Sequence, residues 1–245
     1  MKLPVTDVRH PALLAADLRR FALRVEGLGY PVAQLEVAGG AHALLVDRGG
    51  ACRAAILPAG YAALAEGELE STTRALRGLA PSRRLTLLAW GPPPGPTARR
   101  RLRDAGIELA LYEPLEPGVL RFQVNRALGP GGRPSRRALR APLEGEVAVR
   151  WRFRTRPARV YSMSASGAFI LCDEPLRPGR RLQLEVPVGR LRPRTQARVV
   201  LSNPPAERIH ADLPPGMAVA FESLDGASAA VIHRLVEERL ATLAV

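Results

Sequence analysis

VAVRWRF, residues 147–153, places Val147, Val149, Trp151 and Phe153 at every second position, with alanine or arginine between them. A strand turns successive side chains to opposite faces, so this alternation predicts a strand with one buried face and one wet face. The same period returns in RLQLEVPV, residues 181–188, where Leu182, Leu184, Val186 and Val188 share a face. Val199 with its neighbours and residues 217–221 supply further strands. Short alternating strands with frequent turn signals predict a small barrel. Residues 228–243 change to helical spacing: Ile232, Leu235, Val236, Leu240 and Leu243 form one apolar stripe.

Upstream, the pattern is different. GPGGRP, residues 129–134, disfavours continuing a helix or a central strand and marks a linker. It separates a first domain, 1–128, from a second, 135–245. In the first, short apolar runs read as strands at 12–16, 32–37, 54–57, 85–89 and 109–111. Amphipathic segments read as helices at 18–28, 69–79, 97–105 and 118–128, with a further short helix at 41–47. Five strands alternating with five helical segments predict an α/β domain with a parallel (βα)5 sheet.

The composition narrows function. The chain has 245 residues and a net charge of +13, and Lys2 is its only lysine. Arginine favours planar, bidentate partners such as phosphate and guanine edges. An Ala-, Pro-, Gly- and Leu-rich chain carries arginine throughout, however, so charge alone implies affinity for polyanions and nothing sharper. Aromatic content is 4%, which leaves few stacking platforms for nucleic acid, and no helix-turn-helix stands out; DNA or RNA binding is not expected. No apolar run approaches the roughly eighteen residues of a membrane span, and the start lacks a signal peptide, so the expectation is a cytoplasmic protein without membrane insertion. Cys52 and Cys172 match no metal spacing and read as buried free thiols. The four histidines are scattered, so no metal site is expected. There is no evident nucleophile–base pair or phosphate-cradling loop, so no enzyme is expected and no catalytic residue is assigned.

The alternating order of the first domain resembles the receiver domain of bacterial response regulators. That resemblance implies an acidic pair near Ala16 and Asp17, a phosphoacceptor near Pro58, a hydroxyl near Ala89 or Trp90, and a lysine–proline pair where Glu113 and Pro114 stand. Without a nucleophile or a lysine the phosphoryl chemistry cannot run. The resemblance therefore implies a pseudo-receiver, not phosphorylated and serving as a scaffold. Asp17 itself reads as a helix N-cap before Leu18.

The second domain carries two further motifs. SRRALRAP, residues 135–142, places Arg136 and Arg140 in an R-x-x-x-R spacing with Arg137 between them. Some twenty residues on, SMSASG, residues 162–167, supplies Ser162, Ser164 and Gly167. On this β background the pair resembles the PilZ domain, a receptor module for cyclic di-GMP. The resemblance implies a six-stranded antiparallel β-barrel with a C-terminal helix. It implies a ligand site at Arg136, Arg137, Arg140, Ser162, Ser164 and Gly167, with no cofactor besides that ligand. Guanidinium groups can fork onto phosphate or guanine and stack on its plane. The family has Asp or Asn where Ser162 stands. A lost guanine contact costs about 1–3 kcal/mol, tenfold to a hundredfold in affinity. The implied function is a non-catalytic signalling protein that passes the c-di-GMP signal to an unidentified protein partner controlling motility, pili or surface behaviour. The alternative is a PilZ-like adaptor that has lost the nucleotide. A homodimer is compatible with either.

Overall fold

A computed structural model of the chain describes residues 11–37, 41–47, 52–65, 67–79, 85–129, 139–186 and 194–245. It divides into two compact units, Met1–Arg133 with Leu243–Val245, and Pro134–Thr242.

The first unit runs α1 (Pro11–Glu26), β1 (Val32–Val37), β2 (Ala41–Asp47), β3 (Cys52–Pro58), a 3-10 turn (Ala59–Ala63), α2 (Glu68–Gly78), β4 (Thr86–Gly91), α3 (Pro96–Asp104), β5 (Leu109–Tyr112) and α4 (Pro117–Leu128). The sheet order is β1-β2-β3-β4-β5. β1–β2 and β2–β3 pair antiparallel; β3–β4 and β4–β5 pair parallel. The sheet is mixed, which corrects the expected parallel (βα)5 arrangement.

Both faces of this sheet are covered. Leu18, Phe21 and Val25 of α1 with Leu120 and Val124 of α4 pack on Leu44, Val46, Ile56, Leu88 and Leu111. Leu69 and Leu76 of α2 with Leu102 of α3 pack on Ala43, Ala55, Leu57, Leu87 and Ala89. Two local expectations fail here for physical reasons. Residues 12–16 are helix, because the apolar run continues in register into the Leu18, Phe21, Val25 stripe. Residues 41–47 are strand, because a strand buried on both faces loses its alternation and reads as a continuous apolar run. Because residues 12–16 are helix, Asp17 is neither an after-strand acid nor an N-cap; it lies inside α1. Pro58 pairs with Trp90 across β3 and β4, and the Trp90 ring stacks on Phe21 at 4.5 Å.

Residues 243–245 complete this unit. Ala244 bridges Leu109 at the outer edge of β5. The Ala110 amide donates to the Leu243 carbonyl at 2.9 Å. Gln123, fully buried, donates through Nε2 to the carbonyls of Leu243 at 2.7 Å and Ala110 at 3.0 Å. Arg103 Nε donates to the Val245 carbonyl at 2.9 Å. Leu243 thus belongs to the first unit, not to the stripe of the last helix.

The second unit contains β6 (Ala141–Trp151), β7 (Arg154–Ser164), β8 (Gly167–Leu171), β9 (Arg181–Glu185), β10 (Arg194–Asn203), β11 (Gly216–Phe221) and α5 (Gly226–Thr242). They close a six-stranded barrel in the order β10-β11-β8-β7-β6-β9, antiparallel throughout. The alternating residues fill it: Val147, Val149, Leu182, Leu184, Val199, Met217 and Val219 share one core with Ile232 and Val236 of α5. Alternation ends at Phe153, which is fully exposed in the two-residue turn between β6 and β7. Val188 lies outside the described residues. At the start of α5, Asp225 receives hydrogen bonds from the Ser228 amide at 2.8 Å and the Ser228 hydroxyl at 2.7 Å. These bonds hold its carboxyl below the usual aspartate range.

Candidate functional site

The candidate site forms where β7 turns into β8. Ala165 and Ser166 make a two-residue connection, and Ser164 pairs with Gly167 across it. A register shift between Val160 and Ser162 leaves Tyr161 as an extra residue against β8. A second shift, between Pro142 and Gly145, distorts β6 where Pro142 pairs with Ser162. Bulges re-aim side chains, and here they flank the serine that the sequence singles out.

Ser162 is buried at 2% exposure. Its Oγ accepts a hydrogen bond from Arg140 Nη1 at 3.2 Å. The structure therefore brings together two residues that the sequence places 22 positions apart. Arg136 and Arg137 lie outside the described residues.

Ser164 has a different local role. Its Oγ donates to the Gly167 carbonyl at 3.2 Å and lies 3.3 Å from Ser166 Oγ, so it braces the turn. The Phe221 amide donates to the Ser166 carbonyl at 3.0 Å and fastens the turn to β11. Gly167 is required by the barrel itself, because a Cβ there would stand 2.2 Å from the Val219 carbonyl oxygen of β11. Beneath the turn, Tyr161 meets Phe169 edge-on at 5.8 Å.

Three features escape sequence reading. Arg239 of α5 donates through Nε to the carbonyl of Pro142, the strand position that pairs with Ser162, at 3.4 Å. A helical stripe predicts which face is buried, not which backbone oxygen a flanking arginine reaches. Asn203, fully buried, donates to the carbonyls of His210, Leu213 and Pro214 and accepts from the His210 amide, shaping the loop before β11. An asparagine in a polar loop carries no sequence signal of that burial. The third is the β6–β7 turn, where Arg152 takes a positive φ of 56°.

Elsewhere, Cys52 and Cys172 are free, and half-buried where full burial was expected. Burial, then the neighbouring Asp173 charge, pushes the Cys172 thiol up to about 11, which keeps it protonated and poorly nucleophilic near neutral pH. Among the described residues no cluster of three His, Cys, Asp or Glu could hold a metal ion. No helix among them is long and apolar enough to cross a membrane.

No curated protein matches this chain. Among solved structures it is similar to the Bacillus subtilis inhibitor of motility, MotI/DgrA, with 16% identity over 45% of this chain and 53% of that one, TM-score 0.36. It is similar to the PilZ domain with c-di-GMP of YcgR from Escherichia coli, with 17% identity over 44% of this chain and 94% of that one, TM-score 0.34. It is also similar to Escherichia coli YcgR in complex with c-di-GMP, with 21% identity over 44% of this chain and 48% of that one, TM-score 0.35. The chain thus spans about half the length of the first and third of these. The family model for the PilZ domain matches residues 134–238 and so contains the whole barrel, the SMSASG turn and most of α5. The C-terminal part of this chain, residues 134–238, is a PilZ domain, a non-catalytic module.

Proposed function

We propose that this PilZ domain is a receptor for cyclic di-GMP and that Arg136, Arg137, Arg140, Ser162, Ser164 and Gly167 form its site. The observation that carries the reading is the Arg140–Ser162 hydrogen bond, which joins the R-x-x-x-R segment to the serine–glycine turn. The Arg140 guanidinium uses the Ser162 hydroxyl as an acceptor. A phosphate is a better acceptor for a guanidinium than a neutral hydroxyl, because both partners are charged and the contact can be bidentate. The ligand would draw Arg140 onto a phosphate or a guanine edge and free Ser162 Oγ for a contact of its own. Arg136 and Arg137, from the same segment, would supply the remaining cationic contacts. Ser164 and Gly167 would act mainly by holding the turn in place. Binding would then bias the domain towards one arrangement that a protein partner recognises. Motility, pili and surface behaviour are outputs proposed by family analogy.

A second reading has its own support. Ser162 stands where the family has Asp or Asn, and it is buried and already engaged by Arg140. That favours an adaptor that works through protein contacts without nucleotide. Isothermal titration of the full chain with cyclic di-GMP separates the two. The receptor reading predicts saturable heat; no heat at high-micromolar ligand rejects it in favour of the adaptor.

A further inference from the structure

The β6–β7 hairpin ends in RWRFR, residues 150–154, and its turn contains only Arg152 and Phe153. Phe153 is 101% exposed, the highest value among the exposed large apolar side chains described. Arg152 adopts φ 56°, the left-handed region that a two-residue turn normally assigns to glycine or asparagine. The sequence thus keeps a long cation and a bare aromatic ring where backbone preference and solubility both favour something smaller. The Arg152 guanidinium lies 4.7 Å over the half-buried Trp151 ring. Four arginines elsewhere on the barrel are matched by acids: Arg156 with Glu174, Arg181 and Arg198 with Glu222, and Arg194 with Glu185. Among the described residues, Arg150, Arg152 and Arg154 make no such pair. An apolar tip inside an unmatched cationic collar suits a surface that is apolar within and anionic outside.

We propose that this turn docks the protein peripherally on anionic lipid bilayers, with Phe153 entering the interface, Trp151 at headgroup level and Arg150, Arg152 and Arg154 on lipid phosphates. The shape favours a bilayer over an acidic protein. A stable protein interface needs a broad patch of about 800 Å² on each side, which a two-residue apex does not present. Reversible lipid attachment needs only a shallow aromatic anchor and a few cations. The concave groove behind the hairpin, about 1070 Å³, is lined by Asp173 and Glu174 as well as by Arg154, Arg156 and Arg159, so it does not select an anion as the apex does. This inference is independent of the nucleotide reading.

Flotation of the full chain with phosphatidylcholine vesicles, with and without phosphatidylglycerol, tests it. Binding is expected only with phosphatidylglycerol and should fall as salt rises. Phe153→Ser should abolish most of it. Arg152→Gly should weaken it about fivefold while leaving the melting temperature equal or higher, since glycine suits that backbone. The control R177E/R180E, two exposed arginines elsewhere on the barrel, should lower binding much less than R150E/R154E. Absence of binding to the anionic vesicles overturns the proposal. So does full binding by Phe153→Ser, or an equal loss in the control, which would assign the attraction to the net charge of +13.

Discussion

Gly167 and Ser162 lie five positions apart and answer to different demands. At Gly167 the demand is steric, since a methyl group would strike the Val219 carbonyl, a rigid backbone atom of the neighbouring strand. Gly167→Ala should therefore destabilise the barrel by about 2–3 kcal/mol, read as a lower urea midpoint for the C-terminal unit; an unchanged midpoint would show that β11 yields. At Ser162 the demand is chemical. Its hydroxyl gives Arg140 one neutral acceptor, whereas an amide offers both an acceptor and donors for a guanine edge. Ser162→Asn should raise affinity for cyclic di-GMP about tenfold, measured by titration; unchanged or weaker binding would show that the serine position does not meet the base. The R-x-x-x-R segment and the serine–glycine turn stood out in the sequence through their resemblance to the PilZ motifs. The engagement of Ser162 by Arg140 was not, because a hydrogen bond across 22 residues depends on two bulges that leave no mark in the sequence.

Among the elements, four strands of the barrel and four of the first sheet were legible and β2 was not, and the reason is burial. β9 and β10 each carry an outward face, so their sequences alternate. β2 has helices over both of its faces, so AHALLVD carries no period and its Ala and Leu favour the wrong element. The same ambiguity hid the first turns of α1. Helix α5 was read correctly in type, and its start depends on one carboxylate. The folded state lowers the pKa of Asp225 below its unfolded value. The cap's contribution is then fully present above the unfolded value of about 3.9 and is lost as pH falls through the lower, folded value. Asp225→Ala should lower the melting temperature at pH 7 and should shrink the further loss between pH 5 and pH 2. A variant with the wild-type pH profile would show that the cap contributes nothing.

For the whole molecule, the chain enters the barrel unit after Arg133 and leaves it after Thr242, and its last three residues are built into the first unit. Leu243 and Val245 are buried there, and Gln123 uses the Leu243 carbonyl as an acceptor. Deleting residues 243–245 removes that apolar burial and leaves buried polar groups short of a partner. The first unit should lose about 2–4 kcal/mol, seen as a lower melting temperature for its transition with the barrel transition kept; an unchanged first transition would show that residues 243–245 are dispensable to it. Two sequence-distant segments thus share one unit, which linear domain reading cannot anticipate.

The proposed binding of cyclic di-GMP to the barrel unit turns on Arg140 beside Ser162. The most direct measurement is a calorimetric titration of cyclic di-GMP into Arg140→Ala, set against the wild-type chain and the exposed control Arg177→Ala. Binding should weaken about tenfold to a hundredfold in Arg140→Ala and stay unchanged in Arg177→Ala. Wild-type affinity in Arg140→Ala would contradict it.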